Sequence, residues 1–320
     1  MTKNIVLVGC GNIGSRHIQA LTKLPFKIKL HLVEPSLESK NLTKSRLEEM
    51  DIDNIVELEW HNSTEESIPK SDLVIIATQS VGRADLIQNL LEKGHSRFLI
   101  EKIVCQSTEE YKLLNSKFQE FNAKGWINTN RRYVESYHQL KNLIKNEPFY
   151  MYVIAGNVGL GSNAYHFIDL FSWFSNDQNI SLNGDFLDSK TISNKRGKNL
   201  LEFSGKLICK NNMSSLMISF LSSIDTPVVL GFINNENHIL INETEKKVIS
   251  IHGNLLLSDN FEMINVSSST TQIVNSILTE DKCQLPRLNF GFNAHSELFD
   301  VFNKHILLYD GNESKICPIS

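Results

Sequence analysis

Cysteine is scarce in these 320 residues. The five present, Cys10, Cys105, Cys209, Cys283 and Cys317, are odd in number, far apart and without a C-x-x-C pair. That pattern argues against a disulfide scaffold and against a zinc site, no metal is expected, and a reducing cytoplasm fits. Basic runs are equally short: none exceeds Arg131-Arg132 or Lys246-Lys247, and the formal net charge is −4. The chain therefore carries no nucleic-acid footprint. No apolar run approaches a membrane span, so no membrane partner is expected. The first apolar stretch begins at Ile5, which leaves no room for a signal peptide, and sequons such as Asn41-Leu42-Thr43 read as chance. Internal repeats and low-complexity tails are absent from the sequence. What remains is an ordinary globular composition, 41% hydrophobic and 21% charged, long enough for two domains.

What is present is concentrated at the amino end. Ile5-Val6-Leu7-Val8 reads as a strand buried on both faces, and Gly9-Cys10-Gly11-Asn12-Ile13-Gly14 follows with the spacing G-x-G-x-x-G, opening an amphipathic helix through Leu24. Gly9 permits the tight turn, Gly11 removes a Cβ so that a pyrophosphate can approach the backbone, and Gly14 lets helix and strand pack closely. The N–H groups at the helix start, around Asn12 and Ile13, and the positive end of the helix dipole favour the anion. Glu34 ends the second apolar run, Leu30-His31-Leu32-Val33. A carboxylate there accepts both ribose hydroxyls and repels a 2′-phosphate, so the cofactor is NAD in preference to NADP. NADP is not excluded, since Ser36 and Lys40 stand close in sequence.

Farther along, Ile55–Leu58 reads as a third strand and Asp72–Thr78 as a central parallel strand. The latter ends in Thr78-Gln79, candidates to touch the cofactor, because residues beyond strand carboxyl ends line the ligand crevice. Helix 81–93, strand Arg97–Ile100, helix 108–121 and strand Trp126–Asn130 complete a βα alternation, the signature of a doubly wound parallel sheet. Beyond it come helices 133–145 and Ser162–Phe174, a strand from Phe149 to Ile154, and antiparallel strands Leu200–Cys209, Ser215–Leu221, Val228–Ile233, His238–Ile241 and Lys247–Ile251. Two helices, about Thr270–Leu278 and Asn293–Leu308, close the chain. The expected fold is thus α/β: a Rossmann domain, 1–125, and an α+β domain, 126–320, with a large, mostly antiparallel open sheet and a last helix packing back near the first domain.

Three further patches make the sequence resemble the glucose–fructose oxidoreductase, inositol dehydrogenase and MocA (Gfo/Idh/MocA) family. They are Gly94-His95-Ser96-Arg97-Phe98-Leu99-Ile100-Glu101-Lys102, Asn128-Thr129-Asn130-Arg131-Arg132-Tyr133, and the stretch Gly159-Leu160-Gly161-Ser162-Asn163-Ala164-Tyr165-His166-Phe167-Ile168-Asp169-Leu170. The resemblance implies that Lys102 sits between nicotinamide and substrate and that His166 shares the proton transfer. Chemically this is sensible: a lysine beside a cationic ring in a partly desolvated cleft has its pKa lowered towards the useful range. Glu101 either fixes local structure or contacts the cofactor; Asp169 either orients His166 or packs; Tyr165 either lines the pocket or packs. Arg131 and Arg132 either meet a substrate anion or make an interdomain salt bridge. Two departures from the family pattern stand out. Ile103 follows Lys102 where proline is usual, and Ser162 stands four before His166 where many members carry aspartate. Serine cannot act as a carboxylate base, so Lys102 with His166 has to suffice.

The reading is an NAD(H)-dependent oxidoreductase acting on a secondary hydroxyl or keto carbon of a sugar or sugar nucleotide, with surface glycan synthesis as its setting. Its proton-handling residues are Lys102 and His166, and its cofactor contacts are Gly9, Gly11, Asn12, Ile13, Gly14, Glu34, Thr78, Gln79, Glu101 and Lys102. Its substrate contacts are Arg131, Ser162, Tyr165 and Asp169, and its assembly is a homodimer or homotetramer. Two alternatives remain at this stage: an NAD-dependent glycosidase of the same family, or a non-catalytic dinucleotide-binding protein.

Overall fold

The computed structural model describes residues 2–144, 147–194, 197, 199–253, 261–262, 266–311 and 313–320. The chain forms two compact units, one of residues 1–105, 109–130 and 264–289, the other of residues 106–108, 131–263 and 290–320. The first begins with β1 (Lys3–Val8), α1 (Asn12–Leu21), β2 (Ile28–Val33), α2 (Leu37–Glu48), β3 (Ile55–His61), β4 (Leu73–Ile76), α3 (Arg83–Glu92), β5 (Arg97–Glu101), α4 (Thr108–Glu120) and β6 (Lys124–Asn128). All six strands are parallel, in the order β3-β2-β1-β4-β5-β6. The continuous apolar runs of β1 and β4 have the burial a central parallel strand requires, with Ile5, Val6, Leu7, Leu73, Val74 and Ile76 inaccessible to solvent. Strand order reverses between β1 and β4, which puts the switch point of the sheet at the glycine turn.

The chain continues with α5 (Glu135–Leu143), β7 (Tyr150–Gly156), α6 (Leu160–Ser175), β8 (Ser181–Leu187), β9 (Ile192–Ser193), β10 (Leu201–Glu202), β11 (Gly205–Lys210), β12 (Ser215–Leu221), β13 (Val229–Ile233), β14 (His238–Asn242) and β15 (Lys247–His252). The helices α7 (Val266–Glu280) and α8 (Phe292–Asp310) follow. The second unit holds a seven-stranded sheet, β15-β14-β13-β7-β12-β11-β8, antiparallel except where β7 runs parallel to β12. One face of this sheet packs on α6, where Phe167 meets Phe220 and Phe171 meets Phe149 edge-on. On β7 and β15, Tyr150, Ile249 and Ile251 remain exposed.

Three expectations need correction. The boundary expected near residue 125 falls inside β6, a strand that pairs with β5 from Arg97↔Lys124 to Glu101↔Asn128 and stays with the first sheet. The helix that belongs to the first unit is α7, not the last. It lies on α1, where the Thr271 hydroxyl donates to the Ala20 carbonyl at 2.9 Å, and in the chain after it the Pro286 carbonyl accepts from the Ile127 N–H at 3.0 Å. The strand expected over Leu200–Cys209 is two, β10 and β11, and β8, whose polar alternation Ser181-Leu182-Asn183 hides it, was not expected. Among the described residues no helix is long and apolar enough to cross a membrane.

His95, buried just after α3, offers Nδ1 to the Ser71 backbone N–H and hydroxyl, the latter at 2.8 Å. Burial, reinforced by Lys70 and Lys93, lowers its pKa from 6.5 to about 4. The neutral ring is therefore the folded form. Its contribution to stability is complete above about pH 6.5 and is lost as pH falls towards 4, at up to about 1.4 kcal/mol per pH unit. Urea unfolding of His95→Asn should accordingly show a shallower decline in stability between pH 7 and pH 4 than the wild type; parallel declines in the two proteins would refute this assignment.

Candidate active site

The glycine turn is built as its spacing demands. Gly9 has φ of +89°, and Gly14 packs so closely on the turn that a Cβ there would lie 1.8 Å from the Gly9 carbonyl oxygen. Gly11 differs, since a Cβ on it would meet nothing nearer than the Ser39 hydroxyl at 4.0 Å. That space is the cradle a pyrophosphate needs. Gly11 is the N-cap of α1 and supplies no side-chain cap, so the first N–H groups of the helix, those of Asn12, Ile13 and Gly14, face an anion site without competition from a capping side chain. Arg46 from α2 donates to the Asn12 carbonyl at 3.0 Å and to its side-chain oxygen at 3.2 Å, adding positive charge beside this turn.

A groove of about 530 Å³ runs over the turn, lined among others by Gly9, Gly11, Glu34, Asn62, Thr78 and Gln79. Glu34 is buried at the tip of β2, where its carboxylate accepts the Cys10 and Ser36 backbone N–H groups, each at 2.8 Å. Those two bonds fix the carboxylate and leave lone pairs for hydroxyl donors. The buried Thr78 hydroxyl oxygen has no hydrogen-bond partner among the described residues. An open cradle, an orphaned hydroxyl and a fixed carboxylate in one groove fit a dinucleotide. The two groups that would accommodate a 2′-phosphate are otherwise engaged: Ser36 caps α2, and Lys40 donates to Asn62 at 2.6 Å.

Lys102 follows β5, only 7% exposed. The carbonyls on either side of it, of Glu101 and Ile103, both accept from the Arg83 guanidinium, which also reaches the Thr78 carbonyl. Arg83 is buried, and burial pulls its pKa down to about 10, leaving it charged at neutral pH. It thus ties the ends of β4 and β5 together on both sides of the lysine. The Lys102–Ile103 peptide is cis. Glu101 takes the bracing role: its carboxylate is bonded to His17 of α1 at 3.0 Å and accepts from Asn128 of β6 at 2.6 Å. Burial disfavours its charge, but His17, Asn128 and the neighbouring Lys102 prevail and hold the carboxyl below the usual carboxylate range. His17 Nδ1 in turn meets the Thr270 hydroxyl at 2.8 Å.

In the second unit α6 carries Ser162 and, one turn on, His166. The Ser162 hydroxyl donates to the Glu202 carboxylate, and its backbone N–H donates to the same group at 3.2 Å. Asn194 donates to Glu202 at 2.9 Å and to the Ser162 hydroxyl at 3.3 Å. A Cβ on Gly159 would lie 1.9 Å from the Glu202 carboxylate, so the glycine-rich segment exists to admit this group against the first turn of α6. The other expected substrate contacts are committed elsewhere. Asp169 forms a bidentate pair with Arg132, at 2.6 and 2.9 Å, and so is engaged by that guanidinium. Arg131 makes a bidentate pair with Glu243, at 2.7 and 2.9 Å, and lies 4.3 Å over the Phe167 ring. Tyr165 is buried with its ring 4.1 Å from that of His295, and burial raises its phenol pKa well above the usual value. These three pack the unit. Arg83, His17 and Glu202 escaped the sequence reading; the Gly159-x-Gly161 spacing was the one signal that something approaches closely there.

Residues 3–129 match the family model described as the oxidoreductase family with an NAD-binding Rossmann fold. A search of the curated proteins finds no match. Among solved structures the chain is similar to an oxidoreductase from Agrobacterium radiobacter in complex with NAD+, L-tartaric acid and magnesium (11% identity, TM-score 0.71, covering 92% of this chain and 94% of the other). It is similar also to scyllo-inositol dehydrogenase from Lactobacillus casei with NAD(H) and scyllo-inositol (18%, 0.66, 95% and 98%), and to UDP-N-acetylglucosamine 3-dehydrogenase from Acidithiobacillus ferrooxidans (11%, 0.71, 94% and 96%). Residues 3–129, which hold the glycine turn, Glu34 and Lys102, thus match the NAD-binding domain of the Gfo/Idh/MocA oxidoreductase family.

Proposed function

We propose that this protein moves hydride between NAD(H) and a secondary hydroxyl or keto carbon of a sugar or sugar nucleotide, with Lys102 and His166 handling the proton. The observation that carries the reading is the placement of Lys102. It stands buried at the carboxyl end of the same parallel sheet whose first turn makes the dinucleotide cradle, with the peptide carbonyls on both sides of it held by Arg83. Bound nicotinamide supplies the hydride donor or acceptor. The amine of Lys102 takes the hydroxyl proton during oxidation and returns it during reduction, and His166 assists as the second proton carrier. Ser162 leaves α6 without the family carboxylate, and we assign Glu202, held on the Ser162 hydroxyl, to that role.

Glu34 favours NAD over NADP, because a fixed carboxylate accepts ribose hydroxyls and repels a phosphate. The substrate class rests on Ser162 and on two structurally similar proteins, one acting on an inositol and one on a UDP-sugar. Surface glycan synthesis is the setting that suits a sugar nucleotide. The exposed apolar residues Tyr150, Ile249 and Ile251 support self-association through the outer face of the seven-stranded sheet, and the five free cysteines suit the cytoplasm.

Three measurements test this. With NAD and a panel of polyols and nucleotide sugars, Lys102→Met should lose at least about 100-fold in turnover while its NAD affinity, read by calorimetry, stays near wild type; undiminished turnover would reject the mechanism. Glu34→Ala should weaken NAD and strengthen NADP, narrowing their affinity ratio by about tenfold, since one charge-assisted contact is lost and one repulsion removed; an unchanged ratio would show that Glu34 does not set the preference. Glu202→Gln should lower kcat/KM by about tenfold or more and flatten its acid limb, with NAD affinity intact, and Ser162→Asp in that background should recover part of the loss. A variant with the wild-type pH profile would reduce Glu202 to a cap of α6.

A further inference from the structure

Strands β2 and β3 carry a second group of chemically matched side chains. His31 lies in register with Glu59, and His61, two residues farther along β3, presents its ring on the same face as Glu59 by strand alternation. His31 Nδ1 stands 3.2 Å from Glu59 Oε2 and 3.4 Å from His61 Nε2, and the last two atoms are 3.9 Å apart. The centre of that triangle is about 2.0 Å from each atom, the length of a zinc–nitrogen or zinc–oxygen bond. Both histidines are buried, while Glu59 is 48% exposed and opens the group to solvent.

The surroundings orient the donors towards one point. His61 Nδ1 faces the Glu66 carboxylate at 3.3 Å, and a carboxylate there accepts, so Nδ1 carries the hydrogen and Nε2 offers its lone pair. A carboxylate bonded to the far nitrogen of a ligating histidine is the usual outer partner of a metal site. Glu66 is itself held in place by the Asn62 N–H at 2.8 Å.

We propose that His31, Glu59 and His61 bind a divalent transition-metal ion, Zn²⁺ by the character of the ligands, with one coordination position left for water. The ion would tie the edge strand β3 to β2. The His61 carbonyl also accepts the Glu34 N–H at 2.9 Å, so the ion would brace the strand tip that carries the ribose-binding carboxylate. The inference stands independently of the catalytic reading. Without an ion a single His31 Nδ1 hydrogen, shared between Glu59 and His61, serves the same atoms, and an incoming ion would displace that proton.

The test uses the tag-free full-length chain, stripped with a chelator and titrated with Co²⁺ and then Zn²⁺. The expected result is one ion per chain, with the intense visible absorption of tetrahedral Co²⁺, bleached by Zn²⁺, and a rise in melting temperature with Zn²⁺. Affinity should fall at least about 100-fold in His61→Ala and about 10–100-fold in Glu66→Gln. Glu59→Gln, a change at a half-exposed position, should weaken binding at least about tenfold and decides the matter if the histidine variant does not fold. The proposal is overturned if the folded wild-type chain shows no Co²⁺ absorption, or if binding persists unchanged in Glu59→Gln and Glu66→Gln, which would place the ion elsewhere.

Discussion

The close approach of α1 to β1 is the constraint on which the cofactor site depends. With the Gly9 carbonyl oxygen 1.8 Å from where a Gly14 Cβ would stand, any side chain there would drive helix and strand apart. The helix would then no longer start over the carboxyl end of the sheet, and its free N–H groups would no longer face the groove lined by Gly11, Glu34 and Thr78. Strand burial and anion binding thus share one backbone contact, and neither survives its loss.

Charge burial is the second organising feature, and in each case the compensation is geometric. Arg83 is surrounded by the carbonyls of Thr78, Glu101 and Ile103. Arg131 and Arg132 each meet a carboxylate in a two-point fork, which satisfies planar donors better than a single contact. Breaking such a pair leaves an unpaired buried charge, typically at a cost of about 3–5 kcal/mol. Arg131 and Arg132, expected to meet a substrate anion or to make an interdomain salt bridge, therefore anchor the second unit. Glu101 is the same device in the first: a carboxylate bonded to both α1 and β6, one residue before Lys102.

Much of this was legible in the residues. Continuous apolar runs such as Ile5–Val8 and Leu73–Ile76 can be satisfied only between two layers of helix, and the glycine spacing admits few backbone paths. The strands of the second sheet with alternating apolar residues, β12 to β14, were equally plain. Illegible were elements whose polarity hides them, such as β8 with Ser181, Asn183 and Asp185, and residues whose role depends on a distant partner. Asp169 could not be read as the partner of Arg132 from spacing, nor Tyr165 as a neighbour of His295. The return of α7 to the first unit was hidden for the same reason, since Thr270 meets His17 across 253 residues of chain.

By itself the sequence determined the parallel sheet, the dinucleotide turn and the carboxylate at Glu34, because each follows from local periodicity or from a backbone conformation that few residues allow; the candidacy of Lys102 followed from the family resemblance of the stretch that ends in it. Tertiary structure alone decided that Arg83 grips the peptides around Lys102, that Glu202 rather than a residue of α6 brings a carboxylate to Ser162, and that His31 converges with Glu59 and His61. Those are contacts between side chains far apart along the chain, and their distances are set by how strands pair and helices pack, which no local pattern records.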